Sequence, residues 1–519
     1  MAIPSSSYSG LTGCVYIFNL IIGTGAFTLP KAFFDAGWIL GTVILFILAF
    51  MSYLTASFII ESMACANAML HWKRLKQLKS STNGGYVNDN LFRAHIPNVA
   101  HNDPLEDSDR PGFQDEIEPL SENAPLLLGG PSTEDIVNIE RSRVCEYYLI
   151  SEIVELGKMA SYFFSRFGRT LFYICITIYL YGDLAIYSTA IAKSLTDATC
   201  HPLPNITLLP TGQDIRDLPC RTDITRGEAY RISLIVFVCL VGPFAFFNVQ
   251  KTKYLQIATT FMRWFAFISM IIIAIVRIAK KEWAPEPKPD PPVFRIQGLS
   301  NLIGVSVYSF MCHHSLPSLV TPISNKSKLN TLLALDYTLI LGFYFLLAFT
   351  GIFAFNDLQE LYTLNFPPNP NDGIFMEGVS YFLVLFPVLT LSTNYPIIAI
   401  TLRNNLKALF LTEGRMYSWC TRSCVFPLLA IVPPLIVSLI TDQLEDLVGI
   451  TGSYAGVGIQ YVIPGFLVYY ARKVTTQTIG VGVKNPHGSF FKHTYWIIFV
   501  QLWALLCVAF VTWNNFSHL

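Results

Sequence analysis

Charge is what this sequence has least of. Aspartate, glutamate, lysine and arginine make up only 13% of its 519 residues, about half the share found in ordinary soluble domains. That is too little to cover the surface of a soluble protein of this length. Neither sign prevails, since 35 basic residues stand against 35 acidic ones. The basic face that a nucleic-acid binder needs is therefore missing. Catalytic constellations are missing too: there is no metal-ligand set, no Ser/His/acid arrangement and no phosphate-cradling loop, which argues against an enzyme and implies no organic cofactor. Cys420 and Cys424 form a C-x3-C with no second pair nearby, so zinc is not expected. The first apolar block has no basic stretch before it and no small-residue cleavage site, and it carries Pro30. It is not read as a cleaved signal peptide.

Apolar residues are abundant, at 52% of the chain, and they come in long blocks. A bilayer core needs about 20 mostly apolar residues per helix. The blocks at 11–34, 37–68, 165–195, 231–250, 255–278, 298–322, 331–355, 375–401, 424–441, 445–471 and 494–514 predict eleven spans of an all-α, multi-pass membrane protein. Helices 1 and 2 occupy 1–68, a loop occupies 69–157, and helices 3 to 11 of the same domain occupy 158–519. Most loop lysines and arginines, among them Lys73, Arg74, Lys251, Lys326, Arg403, Lys407, Arg472 and Lys473, fall on one side if the N-terminus is cytosolic. The C-terminus is then lumenal or outside. The loop 196–230 lies on that non-cytosolic side. It carries the sequon Asn205-Ile206-Thr207, a glycosylation site, and the pair Cys200 and Cys220, a disulfide in an oxidising space. Two unrelated thiols are the alternative.

The middle of loop 69–157, about 79–140, is rich in Asn, Asp, Glu, Ser, Pro and Gly and reads as disordered. Within it Glu122 precedes Leu126 and Leu127 by the spacing of an acidic dileucine sorting signal. Adaptor complexes read such signals, so a lysosomal membrane is expected, with the plasma membrane as the alternative. Residues 145–164 regain a helical period through Tyr148, Ile153, Leu156, Met159 and Phe163, which predicts an amphipathic helix along the membrane surface.

Two blocks are broken. The first contains Gly23-Thr24-Gly25 and then Pro30; the sixth contains Gly304, Ser306, Ser309, His313, His314 and Pro317. Broken helices at matching positions of two halves mark a transporter's binding site. Backbone N–H groups freed beside the glycines would bind a carboxylate, helped by the half-helix dipole. Close helix packing through small residues is the alternative.

The stretch Asn19-Leu20-Ile21-Ile22-Gly23-Thr24-Gly25-Ala26-Phe27-Thr28-Leu29-Pro30 resembles the first-helix signature of the amino acid/auxin permeases, within the amino acid–polyamine–organocation superfamily. Phe310-Met311-Cys312-His313-His314-Ser315-Leu316-Pro317 is similar to their sixth-helix pattern, and Leu447–Gly452 with Tyr461-Val462-Ile463-Pro464 to their tenth. The resemblance spares only the polar loop. It implies a LeuT-like five-plus-five inverted repeat with one extra helix, broken helices 1 and 6, and coupled transport of small amino acids. Gly23, Thr24, Gly25, Ser309, Phe310 and His313 would line the substrate site. Asn19, Thr393 and the adjacent Ser392 would hold sodium, with protons as the other possible coupling ion. Side-chain oxygens and unwound carbonyls suit a small hard cation. Thr24 in the glycine turn and Asn394 after Thr393 depart from some relatives and leave ion and substrate open.

Charges at membrane depth are costly and mark either function or a pair. Asp183 stands near mid-depth, and Arg263 is the nearest opposite charge in depth. An Asp183–Arg263 pair locking two helices is slightly favoured over a coupling or gating carboxylate. Glu61, Asp336 and Glu377 sit near block ends and read as interfacial. A transporter is the first reading. An amino acid sensor on the same fold, signalling through loop 69–157, is the second.

Overall fold

A computed structural model describes residues 8–82, 147–200, 215–221, 224–247, 253–280, 291–369, 373–411, 417–480 and 483–517. Asn205, Glu122, Leu126 and Leu127 lie outside them. The chain is a multi-pass integral membrane protein. Among the described residues, eight helices are long and apolar enough to cross a bilayer, and one bent pair makes a ninth span. Residues 1–66 with 150–519 form one compact unit, and 67–149 form another.

The bent pair is α1 (Gly10–Ile21) and α2 (Gly25–Ala36), which meet at 58°. Ser9 caps α1 by accepting from the Thr12 N–H at 3.2 Å, which satisfies one of the orphan donors of the first turn. The helix ends because the Gly23 N–H turns to the Ile21 carbonyl at 2.8 Å instead of reaching back to Asn19. Gly37, at φ 88°, closes α2, a conformation that favours glycine.

Helix α3 (Trp38–Thr82) runs for 45 residues, so the helix continues past the expected start of the loop at 69. The amphipathic segment is shorter than expected. Helix α4 covers Leu156–Phe163, burying Leu156, Met159, Ala160 and Phe163; Ile153 is 51% exposed and precedes it. Then come α5 (Arg166–Thr199), α6 (Arg226–Val241) and α7 (Lys253–Lys280). Cys200 and Cys220 are joined by a disulfide beyond the end of α5. A capping box of Thr225 and Glu228 starts α6, each filling the other's orphan donor.

The sixth block is cut into α8 (Leu299–Ser309) and α9 (Leu316–Val320) by six non-helical residues. Pro317 opens α9, where its missing N–H costs nothing. Three spans follow, α10 (Leu329–Ala354), α11 (Ile374–Phe410) and α12 (Phe426–Ile440). The tenth block is α13 (Leu444–Thr451), a π-helical stretch over 452–462, and α14 (Ile463–Ile479); α15 (Thr494–Ser517) ends the chain. The break in the sixth block leaves each half too short to span alone, and the tenth block stays helical throughout with π-helical turns inside it. By length and apolarity, eight helices and the one bent pair among the described residues qualify as spans, against the eleven blocks read from the sequence.

Helices α3 and α5 form the centre, with 67% of their most apolar stretch buried. Helices α7 and α15 bury only 28% of theirs and present leucine, isoleucine and phenylalanine outward, as lipid-facing helices do. Helix α5 packs along α11, α2 along α8 and α10, and α13 along α8 and α5. The two broken helices are thus neighbours. A Cβ on Gly304 would lie 2.1 Å from the Gly449 carbonyl, and one on Gly452 1.9 Å from that of Gly304. Only glycine lets these backbones touch.

Candidate substrate site at the helix breaks

The first break leaves polar groups unmet. The Asn19 carbonyl, abandoned by Gly23, accepts a hydrogen bond from Arg263 Nη1 on α7. This puts a guanidinium at the negative pole of α1, where a cation is favoured. The Asn19 side chain is only 9% exposed, yet neither its Oδ1 nor its Nδ2 has a hydrogen-bond partner. Thr24 is 2% exposed and its hydroxyl lies close to that of Tyr187 without a hydrogen bond of ordinary length. Buried polar groups left alone cost about 1–3 kcal/mol each. Among the described residues, the N–H groups of Thr24 and Gly25 also make no hydrogen bond.

Gly23 and Gly25 play different parts. A Cβ at Gly25 would sit 2.4 Å from Ser309 Oγ and 2.6 Å from Ser309 Cα, whereas one at Gly23 would meet only the Leu20 carbonyl, at 3.8 Å. Gly25 is therefore a packing residue between the two breaks, and beside Gly23 there is room.

The second break is more closely packed, although Nδ1 of His313 and of His314 is buried without a hydrogen-bond partner among the described residues. His313 Nε2 pairs with Thr55 Oγ1 of α3 at 2.9 Å, and Cys312 Sγ with Tyr337 Oη of α10 at 3.2 Å. The Phe310 ring packs against those of Tyr337 and Tyr344, with centroids 6.2 and 5.2 Å away. His313, expected beside the substrate, is fully buried and meets α3 through Thr55. The His314 ring lies 5.6 Å from that of Tyr179.

One side chain touches both breaks. Tyr344 Oη on α10 lies 3.2 Å from the Ile21 carbonyl and 2.8 Å from the Ser309 carbonyl. Its single proton serves one acceptor fully at a time.

The expected Asp183–Arg263 pair does not form. Asp183, 5% exposed, accepts a hydrogen bond from the Tyr308 hydroxyl of α8, while Arg263 is drawn to the α1 carbonyl end. Tyr187, one turn beyond Asp183, feels the field of both and stands in the place of a direct contact. Ser392 and Thr393 donate their hydroxyl protons to the Val388 and Thr390 carbonyls of their own helix, at 2.5 and 2.8 Å. Their oxygens keep lone pairs for a cation. Among the described residues no hydrogen bond joins either to Asn19, so the three expected ion ligands are not linked to one another. Glu61 and Asp336, expected at the interface, are 7% and 2% exposed. Glu61 is held by Arg472 through two bonds of 2.7 Å. No cluster of three His, Cys, Asp or Glu able to hold a metal occurs among the described residues.

Sequence reasoning missed the tyrosines 187, 308 and 344. Tyrosine in an apolar span has no signal of its own, although Tyr187 at i+4 from Asp183 shares its face.

Comparison with known proteins adds the family context. The profile described as transmembrane amino acid transporter protein matches residues 7–74 and 145–512. Transmembrane protein 104 of Homo sapiens is 47% identical over 98% of this chain and 96% of its own. A Transmembrane protein 104 homolog of Drosophila melanogaster is 44% identical over 98% of both chains. Another, of Dictyostelium discoideum, is 35% identical over 98% of this chain and 97% of its own.

Proposed function

Because the chain belongs to the transmembrane amino acid transporter family, we propose that it is a secondary active transporter of small amino acids working by alternating access. Its eleven blocks would form a five-plus-five inverted repeat with one extra helix, in which α1–α2 and α8–α9 are the broken spans and α13–α14 is one further span. One observation carries the reading. At the first break a buried amide and two backbone N–H groups are unmet among the described residues, next to room beside Gly23. The N–H groups of Thr24 and Gly25 stand at the positive pole of α2 and suit a substrate carboxylate. Ser309, which packs against Gly25, and Phe310 would line the other side of the substrate. A ligand that met these groups would recover the free energy their burial costs.

For coupling, the proton is favoured over sodium. The Arg263 guanidinium already holds the Asn19 carbonyl, and an alkali ion bound by Asn19, Ser392 and Thr393 would meet a like charge there. Asp183 is the proton-carrying candidate, since its only hydrogen-bond partner among the described residues is a neutral hydroxyl. The N-terminus would be cytosolic, with Cys200, Cys220 and a glycosylated Asn205 on the lumenal side. The motif at Glu122, Leu126 and Leu127 would direct the chain to lysosomes.

The test is uptake of an amino acid panel into proteoliposomes under imposed proton or sodium gradients. Proton-driven uptake that falls at least about tenfold in Asp183→Asn, a loss of about 1.4 kcal/mol in coupling, is expected. Sodium-driven uptake lost in Asn19→Ala or Thr393→Ala would restore the sodium site. Saturable amino acid binding without uptake under either gradient would favour a sensor. Leu126→Ala with Leu127→Ala should shift the protein to the cell surface; unchanged lysosomal staining would reject the sorting role.

A further inference from the structure

A second site lies far from the helix breaks, where the end of α14 meets the start of α15. Arg472, Lys473 and Thr476 of α14, with Lys492 and Thr494 from the start of α15, line an open cavity of about 390 Å³. Arg472 is fixed in place. It bonds twice to Glu61 at 2.7 Å and donates to the Lys492 and Phe491 carbonyls at 2.9 and 3.2 Å. These use four of the five guanidinium N–H groups, and Glu61 cancels its charge. Glu61 is locked in turn by the Ser489 N–H at 2.9 Å. Lys473 and Lys492 are both exposed, and neither is in an ion pair among the described residues. The cavity therefore has a rigid floor and two uncancelled positive charges at its rim.

Its place in the membrane follows from the packing. Tyr470 of α14 packs on Phe164, just before α5 begins, with ring centroids 6.0 Å apart. Cys200 and its disulfide lie at the other end of α5, 34 residues on, or about 51 Å away along the helix. A disulfide marks the oxidising side, so the cavity is on the cytosolic side, where the anionic lipids of the inner leaflet are found. Beyond the cavity α15 presents an outward apolar face: Tyr495 58%, Ile498 55%, Leu502 60%, Leu505 66% and Leu506 60% exposed. Tyr469 at the cavity wall is 42% exposed, and tyrosine is at home at the headgroup level.

We propose that this cavity binds the phosphorylated headgroup of an anionic phospholipid of the cytosolic leaflet, with its acyl chains along the apolar face of α15. Lys473 and Lys492 take the phosphate charge, and the Thr476 and Thr494 hydroxyls donate to its oxygens. That apolar face is what selects a lipid over a free phosphate. An occupant would bridge α14 to α15 next to the Arg472–Glu61 pair and so stiffen the junction of three helices.

The test uses the purified full-length protein and equilibrium binding of a short-chain phosphatidylinositol phosphate. Phosphatidylcholine of the same chain length and water-soluble inositol phosphate are the comparison arms. Saturable binding of the anionic lipid is expected, with no binding of phosphatidylcholine. The soluble headgroup should bind at least about tenfold more weakly, because it lacks buried methylenes. Lys473→Gln with Lys492→Gln should weaken lipid binding roughly 30-fold, the scale of two basic residues at a membrane surface. Equal binding of phosphatidylcholine, unchanged binding in the folded double variant, or inositol phosphate binding as tightly as the lipid would overturn the proposal. If the double variant does not fold, a salt titration of the unaltered protein decides instead: binding must weaken as salt rises, and salt-insensitive binding rejects the site. None of these readouts depends on transport.

Discussion

The two helix breaks look alike in sequence, each a run of small and polar residues closed by a proline, yet they differ in what surrounds them. At the break between α1 and α2 the Asn19 amide is buried without a partner among the described residues, the Thr24 hydroxyl has only the Tyr187 hydroxyl near it, and there is space beside Gly23. At the break between α8 and α9 more side chains have partners: His313 Nε2 on Thr55, Cys312 on Tyr337, Phe310 among aromatic rings, while Nδ1 of His313 and of His314 stays unmet among the described residues. Tyr344 ties one to the other. Similar local sequences thus make one place with room and open backbone N–H groups and one more closely packed joint. Unmet buried polar groups cost stability unless a ligand meets them, and at the first break they come with room beside Gly23 and open backbone N–H groups, so function is expected there.

The comparison is most exposed at Asn19. Asn19→Leu should abolish amino acid uptake, and it should also raise thermal stability, by about 1–3 kcal/mol, because it removes an unpartnered buried amide. A variant that transports normally, or that melts lower than the parent, would mean the first break is an ordinary packed turn. The glycines come next. Gly25→Ala should cost about 1–3 kcal/mol of stability or more through overpacking on the Ser309 backbone, whereas Gly23→Ala should melt like the parent and lose substrate affinity. Equal melting of the two variants would undo the distinction between packing and space. Tyr344→Phe leaves both breaks without their shared donor and should lower stability by roughly 1–3 kcal/mol. A drop no larger than that of an exposed Tyr→Phe substitution would show that the breaks are not coupled through it. Thr55→Val, at the second break, should cost about 1 kcal/mol with uptake kept within twofold. Strong loss of uptake there would move chemistry back to His313.

Much of this arrangement was readable in advance. The apolar blocks located the spanning helices because a bilayer imposes a length and a polarity that few residues can evade. Glycine and proline announced the breaks, since both act on the backbone of their own residue. Partnership was harder to read. Asp183 and Arg263 were matched by depth alone, but depth leaves rotation about the helix axis free. In the fold, Arg263 meets the carbonyl that Gly23 abandoned and Asp183 meets Tyr308. The tyrosines that organise the centre were invisible because an aromatic side chain in an apolar span usually just packs. Glu61 was placed at an interface because its partner, Arg472, is 411 residues away in the chain.

Composition and block length by themselves determined that this chain crosses a membrane many times and that two of its helices are interrupted. Both are local consequences of hydrophobicity and backbone freedom. Which polar groups at those interruptions are satisfied, and which stay open for a ligand, was decided only by tertiary structure. A hydrogen bond needs its two partners within about 3 Å, and only the packing of α3, α7 and α10 around the breaks brings Thr55, Arg263 and Tyr344 to that distance.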